Sequence, residues 1–386
     1  MNRRRALVGV AVDAAMGFGR DVLRGAVRYA NARRKWLLHE EIRACGPLVE
    51  NWPECDGAIV GISSPSLLEQ IRRGSRHIVS CSGNADPGQM PVVCIDDEAV
   101  GRVAADHLIN CRVESFGFYG RVNHTVSSNR QKGFCARLAA HGYTDCQQSL
   151  IEGSFSYGWT ARPHWPRLIE WLNKVPKPIG ILAMDDMAAR DVAAACFSAG
   201  ISIPERVALL GVNDDDLLCG TAWPPLSSVA VDFTRVGEAA ARLLDRLLSG
   251  ENLTSEQKYI RLQPLGVVAR ASTDILAVQD ENLAKALRYI REHACDPCSV
   301  GDVLQHLPVG RRWLERQFVQ KLGRTPHDEI IRVRMEMARR LLIQSSESLP
   351  QIASRCGFTA VQNFSRAFRD SLGVTPAAYR RSPETV

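Results

Sequence analysis

No apolar run in this sequence reaches the roughly 18 residues that a membrane-spanning helix requires. The basic start MNRRR leads into a short apolar run, ALVGVAV, that stops at Asp13, so no sorting signal and no membrane partner are expected, and the reading is cytoplasmic. Enzyme signatures are missing too: there is no P-loop, GxSxG or HExxH. GFGRDVLRG at 17 to 25 offers G-x-G without the third glycine at the right step, and no acidic residue follows a second strand as a dinucleotide site requires. A dehydrogenase-like enzyme is therefore the competing reading rather than the leading one, and no cofactor is expected. The twelve cysteines are scattered through a large chain, which excludes a small disulfide framework and reads as reduced thiols. The only CxxC, Cys295 to Cys298, has no further ligand pair at suitable spacing, so no metal site is expected. Nothing in the chain is low in complexity.

What is present divides in two. At 386 residues the chain exceeds the size of a single core, so two or three domains are expected. Of the formal net charge of +6, the stretch from Asp280 to the end supplies +5, from 17 Lys/Arg against 12 Asp/Glu. The first two-thirds alternates short apolar strands (ALVGVAV, GAIVGI, HIVSCS, VVCID, FGFYG, IGILAMDD, RVALLGVND) with amphipathic helices. That alternation predicts an α/β fold with doubly wound parallel sheets, whose ligands bind beyond the carboxyl ends of the strands. The last hundred residues lose the strands and gain arginine. The join is placed near residue 275, with a sensor domain over 6 to 272 and an all-α domain over 280 to 382.

The all-α part contains a repeat. GRRWLERQFVQKLGRTP at 310 to 326 is echoed by AVQNFSRAFRDSLGVTP at 360 to 376, fifty positions later without a slip. Each copy reads as a helix ended by glycine, with Thr-Pro opening the next helix. Shorter helices, VGDVLQHL and LPQIASRC, precede the copies, so the pattern predicts a tandem helix-turn-helix. At 100° per residue, Leu314, Phe318 and Leu322 form one stripe, with Arg312 and Arg316 opposite; Phe364, Phe368 and Leu372 repeat it, with Gln362 and Arg366 opposite. A buried stripe backed by Arg, Gln, Asn and Ser suits a helix in the major groove, because Arg matches guanine and Gln or Asn matches adenine. The plain alternative is a solvated basic face. Duplication argues against it, since two such helices one DNA turn apart, about 34 Å, would engage one side of a duplex.

Residues 283 to 381 resemble the AraC family of bacterial transcription regulators through LERQF-x3-LGRTP, R-x-R-x-x-x-A-RRLL and IASRCGF-x5-FSRAF-x3-LGVTPAAYR. The resemblance implies base contacts from Arg312, Glu315 and Arg316 in the first copy and from Gln362, Asn363, Ser365 and Arg366 in the second. Many relatives open the first recognition helix with Ser, whereas this chain has Gly310, which supplies no side-chain acceptor to the first turn.

In the sensor part, polar residues follow the strands: Asp13, Asp96-Asp97, Asp185-Asp186 and Asn213 to Asp216. Such groups bridge sugar hydroxyls, and they equally cap helices. VVCIDDEAVGRVAADHL, NRQKGF, ILAMDDMAARDVAAA and ISIPERVALLGVNDDDLL resemble the LacI-type repressor core and the periplasmic sugar-binding proteins, a two-lobed type I fold, over about residues 6 to 270. The resemblance implies effector contacts from Arg130, Asp185 and Asn213. Here Asp185 stands where that family often has Asn, and Asn213 where it often has Asp. Asp13 and Phe18, at the first strand-to-helix junction, are further candidates. Trp159 and Trp165 offer either a stacking lid or ordinary packing.

The order of a LacI-like sensor followed by an AraC-type domain, with the junction VVARASTDILAVQD and the phrase ALRYIREHAC, resembles the xylose-operon activators. That resemblance implies a homodimeric, sugar-responsive regulator that binds double-stranded promoter DNA at two direct repeats, meets RNA polymerase if it activates, and takes xylose as effector. The same architecture answering to another sugar, or to none, stays open.

Overall fold

The computed structural model describes residues 5–14, 16–33, 36–42, 52–61, 65–151, 165–274, 281–296 and 298–381. The chain begins β1 (Ala6–Val12), α1 (Gly17–Arg33), β2 (Trp36–Ile42), β3 (Cys55–Gly61), α2 (Pro65–Gly74), β4 (Ser75–Ser80) and β5 (Val92–Ile95). It continues through α3 (Asp97–Asn110), β6 (Ser115–Arg121), α4 (Thr125–Ala140), β7 (Cys146–Ile151), α5 (Trp165–Lys174), β8 (Ile179–Ala183), α6 (Asp186–Ser198), β9 (Val207–Asn213), α7 (Asp216–Thr221) and β10 (Ser227–Ala230). The sensor ends with α8 (Phe233–Leu248), α9 (Ser255–Lys258), β11 (Tyr259–Leu262) and β12 (Gly266–Val268).

These strands form two six-stranded sheets, ordered β11-β5-β4-β3-β1-β2 and β12-β10-β9-β8-β6-β7. The pairings are parallel except that β12 runs antiparallel to β10. The central strands read as unbroken apolar runs because helices cover both faces, and Val8, Val10, Ile59, Ile181 and Leu209 are wholly buried. The chain passes between the sheets three times. Helix α3 leaves β5 of the first sheet and packs on β8 and β9 of the second. Helix α8 leaves β10 of the second and packs on β3, β4 and β5 of the first, and β11 and β12 make the last passage. Backbone bonds tie the crossings together: Asp96 N donates to Leu262 O at 2.8 Å and Leu265 N to Ala230 O at 2.8 Å.

Glycines set the closest helix pairs in both lobes. A Cβ on Gly25 of α1 would lie 1.9 Å from the Thr234 carbonyl oxygen of α8, and one on Gly133 of α4 would lie 2.0 Å from the Glu98 carbonyl oxygen of α3. The second contact fixes the level at which Arg130 leaves α4.

The C-terminal part is helical: α10 (Glu281–His293), α11 (Val300–Gln305), α12 (Arg311–Leu322), α13 (Pro326–Gln344), α14 (Leu349–Arg355), α15 (Val361–Leu372) and α16 (Pro376–Arg381). Two separate cores serve the two repeat units. Leu287, Ile290, Val303, Leu314 and Phe318 form one, and Met335, Leu342, Ile352, Phe364, Phe368 and Tyr379 the other, with α13 feeding both. Gly323 and Gly373 end α12 and α15 in the left-handed region, at φ 68° and 74°, as the sequence predicts. Thr325 caps α13 in a reciprocal box with Asp328, ahead of Pro326 in the first turn. The join near residue 275 lies outside the described residues, as does Trp159. Among the described residues no helix is long and apolar enough to cross a membrane.

Candidate functional site

The strand ends of the two lobes face each other. On the first lobe, Asp13 follows β1, and its carbonyl accepts from Met16 N at 3.2 Å. Phe18, at the start of α1, stands edge-on to Phe233 with ring centres 4.8 Å apart and lies against Gly61 at the end of β3. On the second lobe, Arg130 is 4% exposed. Its Nε donates to Asp97 Oδ1 at 2.8 Å and its Nη1 to the Met184 carbonyl, so one guanidinium joins the start of α3 to the end of β8. Asp185 begins α6 and spends Oδ1 on Ala188 N at 2.7 Å, so the helix-cap alternative is realised there. Burial pushes its carboxyl up, partly offset by the Ala188 amide and then by Arg130.

Asn213 ends β9 at φ 112°, and Asp214 follows at φ 54°; two consecutive non-glycine residues at positive φ store strain. Surrounding bonds enforce the turn. Asp214 N donates to Ser228 Oγ at 2.9 Å, Arg270 Nη2 donates to Asp214 Oδ1 at 2.7 Å, and Asp215 N donates to Asp186 Oδ2 at 2.8 Å. The turn leaves Asn213 Oδ1 buried with no hydrogen-bond partner among the described residues. An unsatisfied buried acceptor costs about 1–3 kcal/mol unless a ligand donates to it.

Two bridges connect the lobes beside these residues. Arg20 Nη2 lies 3.9 Å from Asp215 Oδ2, with Gly17 close against the same carboxylate. Asn84 Nδ2 lies 3.0 Å from His124 Nε2, and Val126 N donates to Asn84 Oδ1 at 3.2 Å. Burial, then Arg121 and Arg130, pushes His124 down to about 4, which keeps the ring neutral. Arg130, Asp185 and Asn213 thus sit together on the second lobe, and Asp13 and Phe18 sit across the cleft on the first. Trp165 is the first residue of α5.

Several participants are invisible to motif reading. Asp186 is 1% exposed and accepts from Ser228 Oγ at 2.6 Å; burial is the main cause that raises it to about 8. Its signal in the sequence is only its place in the Asp185-Asp186 pair. His124, Asn84 and Arg270 carry no signal at all, because the fold alone brings them to the cleft.

Helices α12 and α15 carry the other set of candidate residues. Leu314, Phe318, Phe364 and Phe368 are wholly buried. Arg312, Glu315, Arg316, Gln362, Asn363 and Arg366 are exposed, and Ser365 is half-buried at the edge of the same face. Glu315 lies 4.0 Å from Arg311, whereas Arg312, Arg316 and Arg366 have no hydrogen-bond or ion-pair partner among the described residues. Gly310 opens α12 without a side-chain cap, as expected, and Ala360 does the same for α15. Arg334 of α13 holds the two units together. It donates to the Ala294 and Cys298 carbonyls at 2.6 and 3.1 Å, and its guanidinium lies 5.2 Å from the Phe358 ring centre.

Comparison with known proteins matches residues 105–273 to a periplasmic binding protein-like domain and residues 303–382 to a helix-turn-helix domain. The chain is 29% identical to the xylose operon regulatory protein of Escherichia coli K12, over 98% of both chains. It is also 29% identical to that of Haemophilus influenzae, over 84% of both. A solved structure of the xylose-binding transcription activator xylR aligns over 99% of both chains, with a TM-score of 0.60 and 26% identity. A LacI family regulator from Enterococcus faecium, solved with bound ribose, covers 69% of this chain and 98% of its own, with a TM-score of 0.55 and 21% identity; it supports the sensor fold alone. The chain is a transcription regulator rather than an enzyme, with a periplasmic-binding-protein-like sensor and a C-terminal helix-turn-helix DNA-binding domain, similar end to end to the xylose operon regulatory proteins.

Proposed function

We propose that the chain is a xylose-responsive activator that binds double-stranded promoter DNA as a homodimer in the cytoplasm and engages RNA polymerase there. The observation that carries the effector reading is Asn213: a strained turn holds a buried acceptor beside Arg130 and Asp185 at the strand-end cleft. A pentose hydroxyl donates to Asn213 Oδ1, Asp185 and Asp13 bridge neighbouring hydroxyls, Arg130 donates to ring or hydroxyl oxygens, and Phe18 takes the C–H face. Sugar draws the lobes together about the three crossings, because it contacts both sides only when they are closed. The sensor domain over 6 to 272 then resets the paired recognition helices of the domain over 280 to 382. On DNA, Arg312, Glu315 and Arg316 read one half-site and Gln362, Asn363, Ser365 and Arg366 the next.

A thermal-shift panel of pentoses and hexoses tests the effector. Xylose is expected to raise the sensor's melting temperature in a saturable way, and Asn213→Ala to remove most of that shift. A flat response to every sugar would sink the sensor reading. A stronger response to another pentose would support the second reading, which the exchange of Asp and Asn between positions 185 and 213 favours.

A further inference from the structure

A cavity of about 420 Å³ lies outside the strand-end cleft, between α8 and β11 of the sensor and α13 and α16 of the DNA-binding domain. Six arginines line it (Arg28, Arg235, Arg242, Arg246, Arg380 and Arg381), against two carboxylates, Asp232 and Glu238. Both carboxylates are already committed, and Arg246 is neutralised from outside the wall by Glu251, to which its Nε and Nη2 donate at 2.8 and 2.5 Å. Asp232 accepts from Arg235 N at 2.9 Å as the cap of α8, and Glu238 pairs with Arg28 at 3.8 Å. Arg380 is held in place by the Leu342 and Glu347 carbonyls at 3.3 and 2.7 Å. Arg242 and Arg381 are exposed and have no hydrogen-bond or ion-pair partner among the described residues.

The cations left without a carboxylate partner, Arg242, Arg380 and Arg381, repel one another unless an anion sits among them, and guanidinium forks match phosphate oxygens in pairs. Beside Thr234, the remaining wall includes the apolar Leu243, Ile260, Leu262 and Ile343, which suits a carbon skeleton rather than a bare ion. The volume falls in the range of small-molecule sites, roughly 300–1,000 Å³, and the cavity is partly open to solvent, so a small ligand can enter it. We propose that this cavity binds a small phosphate ester, which ties the last helix of the DNA-binding domain to α8 of the sensor. Because Asp232 marks one of the three crossings between the lobes, the anion acts on the hinge that governs lobe closure. It is a second input, separate from the strand-end cleft.

Calorimetric titration of the full chain at low salt, without added xylose or other unphosphorylated sugar, tests this with glucose 6-phosphate, AMP and inorganic pyrophosphate, and with sulfate as control. Saturable one-site binding of at least one phosphate ester, tighter than sulfate, is expected. The double variant Arg242→Ala/Arg381→Ala should bind at least about tenfold more weakly. A preference between glucose 6-phosphate and AMP identifies the skeleton. Three results each overturn the proposal: no saturable binding by either ester, binding no tighter than sulfate together with displacement by non-operator duplex DNA, or a double variant that binds as tightly as the parent. Folding of the variant is checked by circular dichroism and its unfolding midpoint, so a lost site is separated from a lost fold. Because glucose 6-phosphate and AMP carry sugar rings, the titration is repeated on Asn213→Ala: binding kept there belongs to the arginine-lined cavity, whereas binding lost there belongs to the strand-end cleft and overturns the proposal, so its failure and that of the effector reading stay distinguishable.

Discussion

Arg130 and Asp97 form an ion pair 2.8 Å long between α4 and α3, with the two residues only 4% and 6% exposed. Asp97 follows the first crossing between the lobes, so the pair anchors the hinge from the second-lobe side. Burial pushes the Asp97 carboxyl up against the pull of Arg130. Arg130→Met should therefore strand a buried carboxylate and cost the sensor about 3–5 kcal/mol at neutral pH, measured by urea unfolding. The deficit should shrink as pH falls, because protonation relieves the stranded charge. A loss below about 1 kcal/mol at neutral pH would show that the pair anchors nothing.

Asp186 and His124 set an opposed pH dependence. The folded-state value of Asp186 is raised to about 8, so it stabilises the fold below the ordinary carboxylate range and loses that contribution as pH rises through about 8. His124 is lowered to about 4, so its contribution is complete above the ordinary imidazole range and is lost as pH falls towards about 4. Between about pH 6.5 and 8 the Asp186 effect prevails, with a smaller share from Asp191, which burial raises to about 7. Stability of the sensor should fall across that window by at most about 2.5 kcal/mol. Asp186→Asn, titrated in parallel, should flatten the slope; an unchanged slope would remove Asp186 from the account.

Gly357 is where the second repeat unit meets the first. It sits at φ 74°, and a Cβ there would lie 2.9 Å from the Ala294 and Asp296 carbonyl oxygens, the first of which also accepts from Arg334. Gly357→Ala adds both backbone strain and a clash, so the two units should separate or shift. The expected result is at least about tenfold weaker operator binding by gel shift, with each unit still helical, because an altered spacing prevents both recognition helices from engaging together. Normal affinity would mean that α13 alone sets the spacing.

Much of this is legible in the amino-acid order where local rules and burial agree. The central strands are unbroken apolar runs, and both recognition helices carry their stripe, their glycine stop and their Thr-Pro restart in sequence. The edge strands β2, β7 and β11 are not legible: WLLHEEI, CQQSLI and YIRL mix polar with apolar residues, so neither run length nor alternation marks them. The passage of α3 and α8 from one sheet to the other is likewise hidden, because periodicity reports a buried face without saying which sheet buries it. For the same reason Arg130 can be singled out while its partner Asp97, 33 residues away, cannot be joined to it. Asn213 is legible as a strand-end polar residue. Its strain and its unsatisfied oxygen emerge only once Ser228, Arg270 and Asp186 are in place.

The shared and unshared residues of the two repeats make separable predictions. Phe318 and Phe368 are buried counterparts in the two cores, so Phe368→Ala should cost about 3–5 kcal/mol of stability in the second unit and lower binding to every DNA alike. Arg316 and Arg366 are exposed counterparts on the outer faces of α12 and α15, and neither supports the fold through a partner among the described residues. Arg316→Ala and Arg366→Ala should each leave the melting temperature unchanged, yet cost about 1–3 kcal/mol at the operator and relax base preference at one position. Because the neighbouring exposed residues differ, Arg312 and Glu315 in one copy and Gln362 and Asn363 in the other, the two substitutions should relax different positions of the site. Affinity selection on a randomised duplex checks this. If both variants relax the same base, or only shift the salt dependence uniformly across sequences, these arginines hold phosphates and the reading faces lie elsewhere on α12 and α15.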